Sequence, residues 1–354
     1  MGAHHPPNAD TFLPRLIAWE VTRSCPLACK HCRAAARPTQ YPGELTIDEG
    51  RRLLENIASF ARPTIILTGG EPMLRPDIYD LAGHAHWLGL PVVMAPCGML
   101  IDDEAAARLI ASGIECISIS LDGATARVHD AFRGVAGAFD GAMRGLEAAR
   151  RAGLALQINT TVTRLNLAEL PAILDLAVRL GAIVFNPFLL VPTGRGKDLA
   201  SEELSPAEYE RTLEWLADQS ARDDIKIRVT CAPHFARVLL RRRGKGDRPL
   251  FSKGCLGGKQ FAFISHVGKV QICGFLELEA GDLKREDMNF RRIWDESELF
   301  LRMRNVDSYG GKCGVCEYRR VCGGCRARAY AMTGDALGPE PFCVYTPSAA
   351  GRGG

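Results

Sequence analysis

The loop that decides the fold follows the first predicted strand and reads Thr22-Arg23-Ser24-Cys25-Pro26-Leu27-Ala28-Cys29-Lys30-His31-Cys32. Its three thiolates, Cys25, Cys29 and Cys32, have C-x3-C-x2-C spacing. They can bind three corners of a four-iron cluster, which leaves the fourth iron open to a ligand or substrate. The alternatives are three free thiols, or a zinc ion with His31 as fourth ligand, although zinc sites more commonly use C-x2-C pairs. We interpret His31 as a ring packed beside the cluster.

The composition is that of an ordinary globular protein. The chain has 354 residues, of which 47% are hydrophobic and 24% charged, enough for two domains or one large barrel with an appendage. The net charge of +3 argues against a dedicated nucleic-acid binder. No stretch approaches the ~20 apolar residues of a membrane helix, and residues 1–10 do not read as a secretory signal. We therefore expect a cytoplasmic protein without nucleic-acid or membrane partners.

The chain contains 13 cysteines, which is many for a cytoplasmic protein. In a reducing compartment, clustered cysteines indicate metal binding or catalysis rather than disulfides. Ten fall in two motif groups, and Cys97, Cys116 and Cys231 are scattered. We expect Cys97 and Cys116 to be small buried residues.

Short apolar strands alternate with amphipathic helices over residues 16–229. This alternation predicts a parallel sheet with right-handed crossovers, in an α/β fold that forms a partial six-unit (β/α) barrel followed by a cysteine-rich C-terminal domain. The predicted strands of these units are 16–21, 64–68, 91–95, 116–121, 156–162 and 183–190, and the predicted helices 46–60, 76–88, 103–112, 138–152 and 168–180. A further helix at 205–220, a strand at 225–230 and a hairpin of 261–265 with 270–273 are predicted after them. The predicted organisation is a flexible segment 1–13, the barrel 14–230, a linker 231–253, the cysteine-rich domain 254–347 and a flexible tail 348–354.

Polar motifs follow several of these strands, and sites in parallel sheets gather at the carboxyl ends of the strands. Thr68-Gly69-Gly70-Glu71-Pro72 combines two glycines, which permit close approach to a ligand, with a carboxylate suited to an ammonium group. Alone, this is a weak signal of a tight turn.

Further candidates follow on the fourth and fifth strands. Ser120 shares a face with Ser118, and Asp122 stands at the strand end, although a half-buried strand with an Asp-Gly turn reads the same way. Arg133 offers a planar fork to a carboxylate, with a surface salt bridge as the alternative. Asn159, like Thr161 on the same strand, is a further pocket candidate.

The tail carries seven cysteines, and their grouping is open to two interpretations. Paired C-x2-C spacing allows a zinc ribbon of four of them, which leaves three unexplained. A weaker possibility is that Cys231 or His234 completes a metal site with tail cysteines. The seven are Cys255, Cys273, Cys313, Cys316, Cys322, Cys325 and Cys343.

Taken together, the cysteine loop and the Gly-Gly-Glu-Pro turn resemble the radical S-adenosylmethionine (SAM) enzymes. In that family the open iron of a [4Fe-4S] cluster chelates SAM, and an electron from the cluster generates a 5′-deoxyadenosyl radical that abstracts hydrogen. The resemblance implies that residues 69–72 hold the SAM amino group and that Ser120 and Asp122 contact its ribose. It also makes Arg133 a candidate for the SAM carboxylate and Asn159 a candidate for the pocket.

The tail resembles the SPASM domain of many radical SAM enzymes, which holds one or two auxiliary [4Fe-4S] clusters. This resemblance implies that Cys313, Cys316, Cys322 and Cys343 bind one cluster. Three further cysteines would bind the other, with the fourth position unassigned: Cys255, Cys273 and Cys325. The final C-x2-C gap departs from the usual three residues, which makes this division less secure than the presence of clusters.

Longer stretches resemble the heme-forming subgroup, above all the heme b synthases of the siroheme-dependent route. They are IAWEVTRSC at 17–25, CRAAA at 32–36, LVPTGRGKD at 190–198, GCLGGK at 254–259 and CEYRRVCGGCRAR at 316–328. This implies oxidative decarboxylation of two propionates of iron-coproporphyrin III to vinyl groups. The alternatives are the related enzyme of heme d1 formation, a SPASM peptide maturase and a non-enzymatic Fe–S electron carrier.

A tetra-anionic tetrapyrrole needs cationic partners. The candidates are Arg23, Arg195 and Lys197. We interpret the three consecutive arginines at 241–243 as a solvent-exposed surface. His234 and His266 are candidates to approach the porphyrin iron, although a lone histidine is usually structural. The resemblance also implies a reductant protein such as flavodoxin or ferredoxin.

Overall fold

The computed structural model describes residues 12–242 and 254–348. Ten strands form one sheet in the order β10-β9-β8-β1-β2-β3-β4-β5-β6-β7. They are β1 Leu16–Thr22, β2 Thr64–Gly69, β3 Val92–Met94, β4 Ile114–Ser120, β5 Ala155–Val162, β6 Val184–Leu189, β7 Lys226–Ile227, β8 Phe261–Ile264, β9 Lys269–Gln271 and β10 Gly281–Asp282.

Helices cover the outer face of this sheet and extend into the tail. They are α1 Ile47–Phe60, α2 Ile78–Trp87, α3 Asp103–Ala111, α4 Ala126–Arg133, α5 Ala138–Ala152, α6 Leu170–Arg179, α7 Pro206–Gln219, α8 His234–Arg242, α9 Phe290–Glu296, α10 Glu298–Arg304, α11 Gly311–Gly314 and α12 Arg326–Thr333. Local sequence sets several boundaries. A reciprocal capping box between Thr46 and Glu49 begins α1, and Ser205 with Glu208 begins α7 in the same way.

Strands β1 to β7 are parallel and follow one another in space, as the alternating pattern predicts. Alternate residues of β5 are buried against the helices, which leaves Gln157, Asn159 and Thr161 on the inner face. The prediction of an α/β partial barrel is confirmed. The barrel positions the polar ends of β4, β5 and β6 side by side around one interior.

The tail enters the barrel sheet directly. Strand β8 pairs in parallel with β1, in a register that sets Leu16 opposite Phe261 and Trp19 opposite Ile264. Strand β9 returns antiparallel to β8 and completes the predicted hairpin. One hydrophobic core runs from the barrel into the tail and includes Phe300 and Phe342. The sheet is thus continuous across the predicted boundary at residue 254.

The remaining differences from the predicted elements are local. The strand expected at 225–230 shortens to Lys226–Ile227, and six helices were not predicted, namely α4, α8, α9, α10, α11 and α12. The predicted linker begins with a turn and then α8, whose Arg242 pairs with Asp218. Most of segment 1–13, residues 243–253 of the linker and most of tail 348–354 lie outside the described residues. Among the described helices, none has the length and apolarity needed to span a membrane.

Candidate functional site

The cysteine loop leaves the carboxyl end of β1 and folds its three thiols inward. Cys25 and Cys29 are buried in a small apolar cluster, against which Cys32 also packs. Each of the three sulfurs has an N–H donor nearby: Leu27 N lies 3.5 Å from Cys25 Sγ, Ala36 N lies 3.4 Å from Cys32 Sγ, and Arg133 Nη1 lies 3.6 Å from Cys29 Sγ. We call Cys25, Cys29 and Cys32 the first cysteine group.

The donor set of this group fits an iron–sulfur cluster. Burial raises the pKa of Cys25 to about 12 and also raises that of Cys29, so thiolates form here only with a strong cationic partner such as iron. Among residues 12–242 and 254–348, no three Cys, His, Asp or Glu side chains converge on a single metal ion. This spread does not suit tetrahedral zinc, whereas in a four-iron cluster each thiolate binds a different corner.

The two glycines of the Gly-Gly-Glu-Pro turn pack against the backbone that leads into the cysteine loop. A Cβ on Gly69 would lie 2.2 Å from the carbonyl oxygen of Thr22, and one on Gly70 would lie 2.2 Å from that of Ser24. Gly70 N donates to Thr22 O at 2.8 Å, and Glu71 N donates to Ser24 O at 2.7 Å. The close approach inferred from these glycines is therefore made to the chain's own cysteine loop.

The carboxylate of Glu71 is fully buried. Its oxygens accept hydrogen bonds from Met73 N at 3.0 Å and from Cys97 N at 2.6 Å. Burial raises its pKa above the ordinary value despite these bonds and a further one with the Cys97 thiol. Its side chain thus ties β2 to the end of β3 rather than presenting an open carboxylate to an ammonium group. Cys97, a scattered cysteine in the sequence, lies beside the first cysteine group.

Asp122 and Arg133 form a buried ion pair beneath the cysteine loop. Arg133 Nη2 lies 2.7 Å from Asp122 Oδ2, and Thr161 N donates to Asp122 Oδ1 at 2.7 Å. Burial raises the pKa of Asp122, but the charges of Arg133 and His31 outweigh it, so the net shift is downward. The fully buried carboxylate is not exposed to ribose hydroxyls, and the arginine is not part of a surface salt bridge.

His31 packs as predicted, with its ring 4.7 Å from that of Phe132. The carbonyls of Phe132 and Arg133, at the end of α4, accept hydrogen bonds from Lys30 N and Ala28 N. The unpredicted helix α4 therefore holds the middle of the cysteine loop in place.

The inner wall beside this network is polar. Ser120, the last residue of β4, is the register partner of Asn159 in the middle of β5, and both are half-buried. Asn159 Oδ1 accepts from Asn186 Nδ2 at 3.2 Å, and Thr230 Oγ1 donates to Asn186 Oδ1 at 2.8 Å. These side chains form a continuous polar row across β4 to β6.

Arg195 anchors the cysteine loop from the loop after β6. Its Nε donates to Cys29 O at 2.8 Å and its Nη1 donates to Ala36 O at 2.7 Å. At the preceding position a Cβ would lie 2.1 Å from the carbonyl oxygen of Arg33, which explains Gly194 and its positive φ of 55°. Two of the three guanidinium nitrogens of Arg195 are thus committed to loop carbonyls rather than open to a propionate.

A second buried charge network joins the barrel to the tail through Glu20. Arg23 Nε lies 2.9 Å, Arg33 Nη2 2.6 Å and His266 Nδ1 2.8 Å from its carboxylate. Burial raises the pKa of Glu20, but these neighbours lower it to a net value far below the ordinary one. Sequence reasoning missed Glu20, although a carboxylate inside the apolar run 16–21 was a visible signal.

The predicted substrate cations therefore differ in availability. Arg23 is 30% exposed and already paired with Glu20. Lys197 is exposed, and no carboxylate in the described part of the chain lies within ion-pair distance of it. Lys197 is the cation most free to meet an anionic substrate.

The tail cysteines separate into two groups. The second cysteine group lines a small cavity together with His234 and consists of Cys313, Cys316, Cys322 and Cys343. The third cysteine group consists of Cys255, Cys273, Cys325 and Cys231, each close to other members. Gly323 and Gly324, which separate Cys322 from Cys325, both have positive φ, a conformation that glycine adopts without strain. Cys322 and Cys325 have different cysteine neighbours, which is not the arrangement expected of a zinc ribbon that combines them.

Two buried arginines of α12 lie between these groups. Arg326 Nη2 lies 3.7 Å from Cys313 Sγ, and no carboxylate of the described chain lies within 4.0 Å of this guanidinium. Arg328 donates to Cys231 O at 3.0 Å and lies 3.6 Å from Glu340, whose carboxylate accepts from Cys325 N at 2.7 Å. Buried guanidinium groups need a counter-charge, and anionic cysteine-bound clusters would provide one.

Known proteins resemble this chain along nearly its whole length. The Radical SAM superfamily model matches residues 19–177. The AdoMet-dependent heme synthase of Nitratidesulfovibrio vulgaris is 48% identical over 98% of this chain and 96% of its own length. The enzyme of the same name from Methanosarcina barkeri is 45% identical over 96% of this chain and 99% of its own.

The fold has solved counterparts as well. The structure of Streptococcus suis SuiB bound to S-adenosylmethionine superposes with a TM-score of 0.76 at 17% identity, covering 95% of this chain and 78% of SuiB. The fold is therefore a radical SAM barrel with a C-terminal SPASM domain, and the family uses a [4Fe-4S] cluster and SAM. The chain belongs to the radical SAM superfamily, in the family that includes the AdoMet-dependent heme synthases, and it is a radical SAM enzyme.

Proposed function

We propose that this enzyme makes heme b by oxidative decarboxylation of two propionate side chains of iron-coproporphyrin III. The observation that carries the proposal is the 48% and 45% identity to two AdoMet-dependent heme synthases along nearly the full chain. Identity at this level extends over both the barrel and the cysteine-rich tail, so it supports a shared reaction rather than a shared cofactor alone.

Cys25, Cys29 and Cys32 would hold the SAM-binding cluster. When bound, that cluster and SAM supply a 5′-deoxyadenosyl radical, which is the cofactor's own chemistry. Residues 69–72 shape the adjoining edge of the site, through a turn that Glu71 ties to the end of β3. On the polar inner wall, Ser120 remains our candidate to contact the ribose of SAM, and Asn159 remains a candidate for the SAM pocket. The buried ion pair of Asp122 and Arg133 places the Arg133 guanidinium beside the sulfur of Cys29.

Each of the two propionate side chains loses one hydrogen atom, one molecule of carbon dioxide and one electron. A hydrogen atom leaves the propionate carbon attached to the macrocycle and ends on 5′-deoxyadenosine. The bond to the carboxylate then breaks, carbon dioxide departs, the vinyl double bond forms, and one electron is released. The chain's own part is to bind the carboxylates and hold the macrocycle, for which the exposed Lys197 and the partly exposed Arg23 are candidates.

The released electron needs an acceptor, and the tail is suited to receive it. Cys313, Cys316, Cys322 and Cys343 would hold one auxiliary [4Fe-4S] cluster, and Cys255, Cys273 and Cys325 would contribute to another. The buried Arg326 and Arg328 would compensate the negative charge of both. A small reductant protein such as flavodoxin or ferredoxin would supply the electron that each SAM cleavage consumes.

The test is anaerobic incubation of the reconstituted enzyme with SAM, a reductant and iron-coproporphyrin III, followed by mass analysis of the porphyrin. Two successive losses of the elements of formic acid are expected, each with one 5′-deoxyadenosine formed. The Cys29→Ala variant is the control and should form neither product. Cleavage of SAM without change to the porphyrin would refute the substrate. Turnover of a decarboxylated siroheme instead would assign the enzyme to heme d1 formation.

A further inference from the structure

Cys231 lies where the third cysteine group needs a further ligand. Arg328 of α12 donates to Cys231 O at 3.0 Å, and Cys325 is the residue that immediately precedes this helix. Cys231 and Cys273 both pack against the apolar core that contains Cys325. A Cβ on Gly257 would lie 3.6 Å from Cys255 Sγ and 3.1 Å from the carbonyl oxygen of Ile272, so the Cys255 sulfur lies near the residue that precedes Cys273. All four are free cysteines, so no disulfide accounts for their proximity.

Side chains from two helices, α7 and α12, form hydrogen bonds to the backbone of Cys231. Its carbonyl accepts hydrogen bonds from Arg328 Nη1 at 3.0 Å and from the Tyr209 hydroxyl at 3.1 Å. The other terminal nitrogen of Arg328 donates to Leu189 O at 3.1 Å and Leu190 O at 2.8 Å. Arg328 thereby fixes the Cys231 turn between the end of β6 and the start of α12, which follows Cys325.

The conformation of Cys231 is strained for a residue with a side chain. Its φ is +60°, in the left-handed region, which is unfavourable for a residue other than glycine. Strain of this kind persists where the surroundings over-determine it and it serves a function. Here it turns a cysteine toward three others at the point where the barrel meets the tail.

His234, the other residue considered for this role, lies in a different place. It is 1% exposed and lines the cavity of the second cysteine group, with its ring 5.2 Å from that of Tyr209. That group already has four thiols. His234 is therefore not needed as a ligand there. Cys231 lies instead beside the three cysteines Cys255, Cys273 and Cys325, which lack a fourth ligand.

We propose that Cys231 is the fourth thiolate ligand of the auxiliary cluster held by Cys255, Cys273 and Cys325. This inference rests on the proposed presence of that cluster. Four cysteine ligands leave no open iron, so the cluster binds neither substrate nor product directly and exchanges only electrons with them. The ligand also joins the cluster covalently to the chain that leaves the barrel.

The test uses the property that an iron without a thiolate ligand is lost on mild oxidation, which leaves a three-iron cluster with its own EPR signal. The full chain carries Cys29→Ala as background, because the first cluster has an open iron of its own. Cys231→Ala is then compared with Cys116→Ala, a matched cysteine removal on β4. All are reconstituted anaerobically, assayed for iron and sulfide, oxidised briefly with ferricyanide and examined by EPR.

We expect no three-iron signal in the background or in Cys116→Ala, and a signal equivalent to one cluster in Cys231→Ala. Loss of about four irons in Cys231→Ala, with the circular dichroism spectrum unchanged, would also support ligation. The proposal that Cys231 is a ligand would be overturned by a three-iron signal in protein that still has Cys231. It would also be overturned if the EPR spectrum of Cys231→Ala were the same as that of the background. Neither result would contradict the presence of the cluster itself. If the Cys29→Ala protein contained no iron after reconstitution, the auxiliary clusters of the proposed function would be refuted, and the role of Cys231 with them.

Discussion

Arg133 reaches the sulfur of Cys29 from below, with Nη1 3.6 Å from Sγ, while its Nη2 lies 2.7 Å from the carboxylate of Asp122. The guanidinium is buried, and Asp122 and Cys29 raise its pKa even though burial alone would lower it. A permanent positive charge therefore faces one ligand of the proposed SAM cluster. Hydrogen bonds to cluster sulfurs are one of the means by which proteins set the reduction potential of a cluster.

Replacing this pair by neutral groups, in Arg133→Gln with Asp122→Asn, should lower the reduction potential of the SAM cluster. A tenfold change in a one-electron equilibrium is 59 mV. The hydrogen bond from Arg133 to the Cys29 sulfur is present in both redox states, and only the difference in its strength between them changes the potential. We therefore expect a shift on the order of 50 mV. The measurement is an EPR redox titration. An unchanged potential would mean that the bond has no electronic role.

Arg195→Met should loosen the cysteine loop rather than weaken substrate binding. The change removes two charge-assisted bonds to carbonyls and should cost roughly 3 kcal/mol of the free energy of unfolding, together with much of the iron of the first cluster. Iron assay and chemical denaturation measure both. Lys197→Met is the matched control: it should keep its iron and raise KM for a carboxylate-rich substrate about fivefold, as for an exposed ion pair of ~1 kcal/mol.

Gly70→Ala should prevent assembly of the SAM cluster, because the added methyl would lie 2.2 Å from the carbonyl oxygen of Ser24. Displacement of that backbone should destabilise the fold by more than ~3 kcal/mol, as overpacking at a site that cannot give way does. Gly83→Ala, where the new methyl meets nothing within 4 Å, should be neutral or slightly stabilising in α2. Equal iron content and equal unfolding free energy in the two variants would contradict this reading of the turn.

His129 should make the fold sensitive to acid. Its Nδ1 accepts the Asp122 N–H at 3.2 Å, and burial, with the charge of Arg133, lowers its pKa to about 4. The unfolded chain binds a proton near pH 6.5 and the folded one does not, so stability is complete above pH 6.5 and falls between there and pH 4. The loss should be roughly 2 kcal/mol at pH 5. Burial also lowers the pKa of His31 and of His234 to about 4, so these two residues contribute to the same acid sensitivity. His129→Gln, which cannot titrate, should therefore reduce the slope of unfolding free energy against pH without abolishing it, and His86→Gln, at an exposed site, is the control.

The barrel was predictable from the sequence because each of its units carries a local signal. Apolar strands and amphipathic helices alternate, and the six predicted strands lie within about two residues of those observed. Helix α4 was missed because it is short and carries polar residues inward, among them His129 and Arg133. Periodicity cannot predict a helix whose buried face is made of charges that find partners elsewhere in the chain.

The candidate site was predictable in its cysteines and less so in its charges. Spacing along the chain was enough to propose Cys25, Cys29 and Cys32 as ligands, because these three cysteines lie on one loop. The partners of Asp122 and Glu20 come from distant segments, such as Arg133 and His266, and no local pattern reveals them. The sequence therefore made Asp122 an open candidate for ribose, whereas tertiary structure pairs it. Cys231 was ambiguous for the same reason, since its neighbours lie far along the chain.

The pairing of β8 with β1 has a consequence for biosynthesis. The strand that precedes the cysteine loop, Leu16–Thr22, lies between β2 and β8, and β8 comes from the last third of the chain. Contacts between distant segments form late, because the intervening chain must first be ordered. On the ribosome, the loop of the first cysteine group emerges early but lacks one of its flanking strands until residue 264 has been made. We therefore expect iron and sulfide to be loaded into the site after the tail has been translated. A nascent chain released before β8 is made would have an unpaired edge on β1.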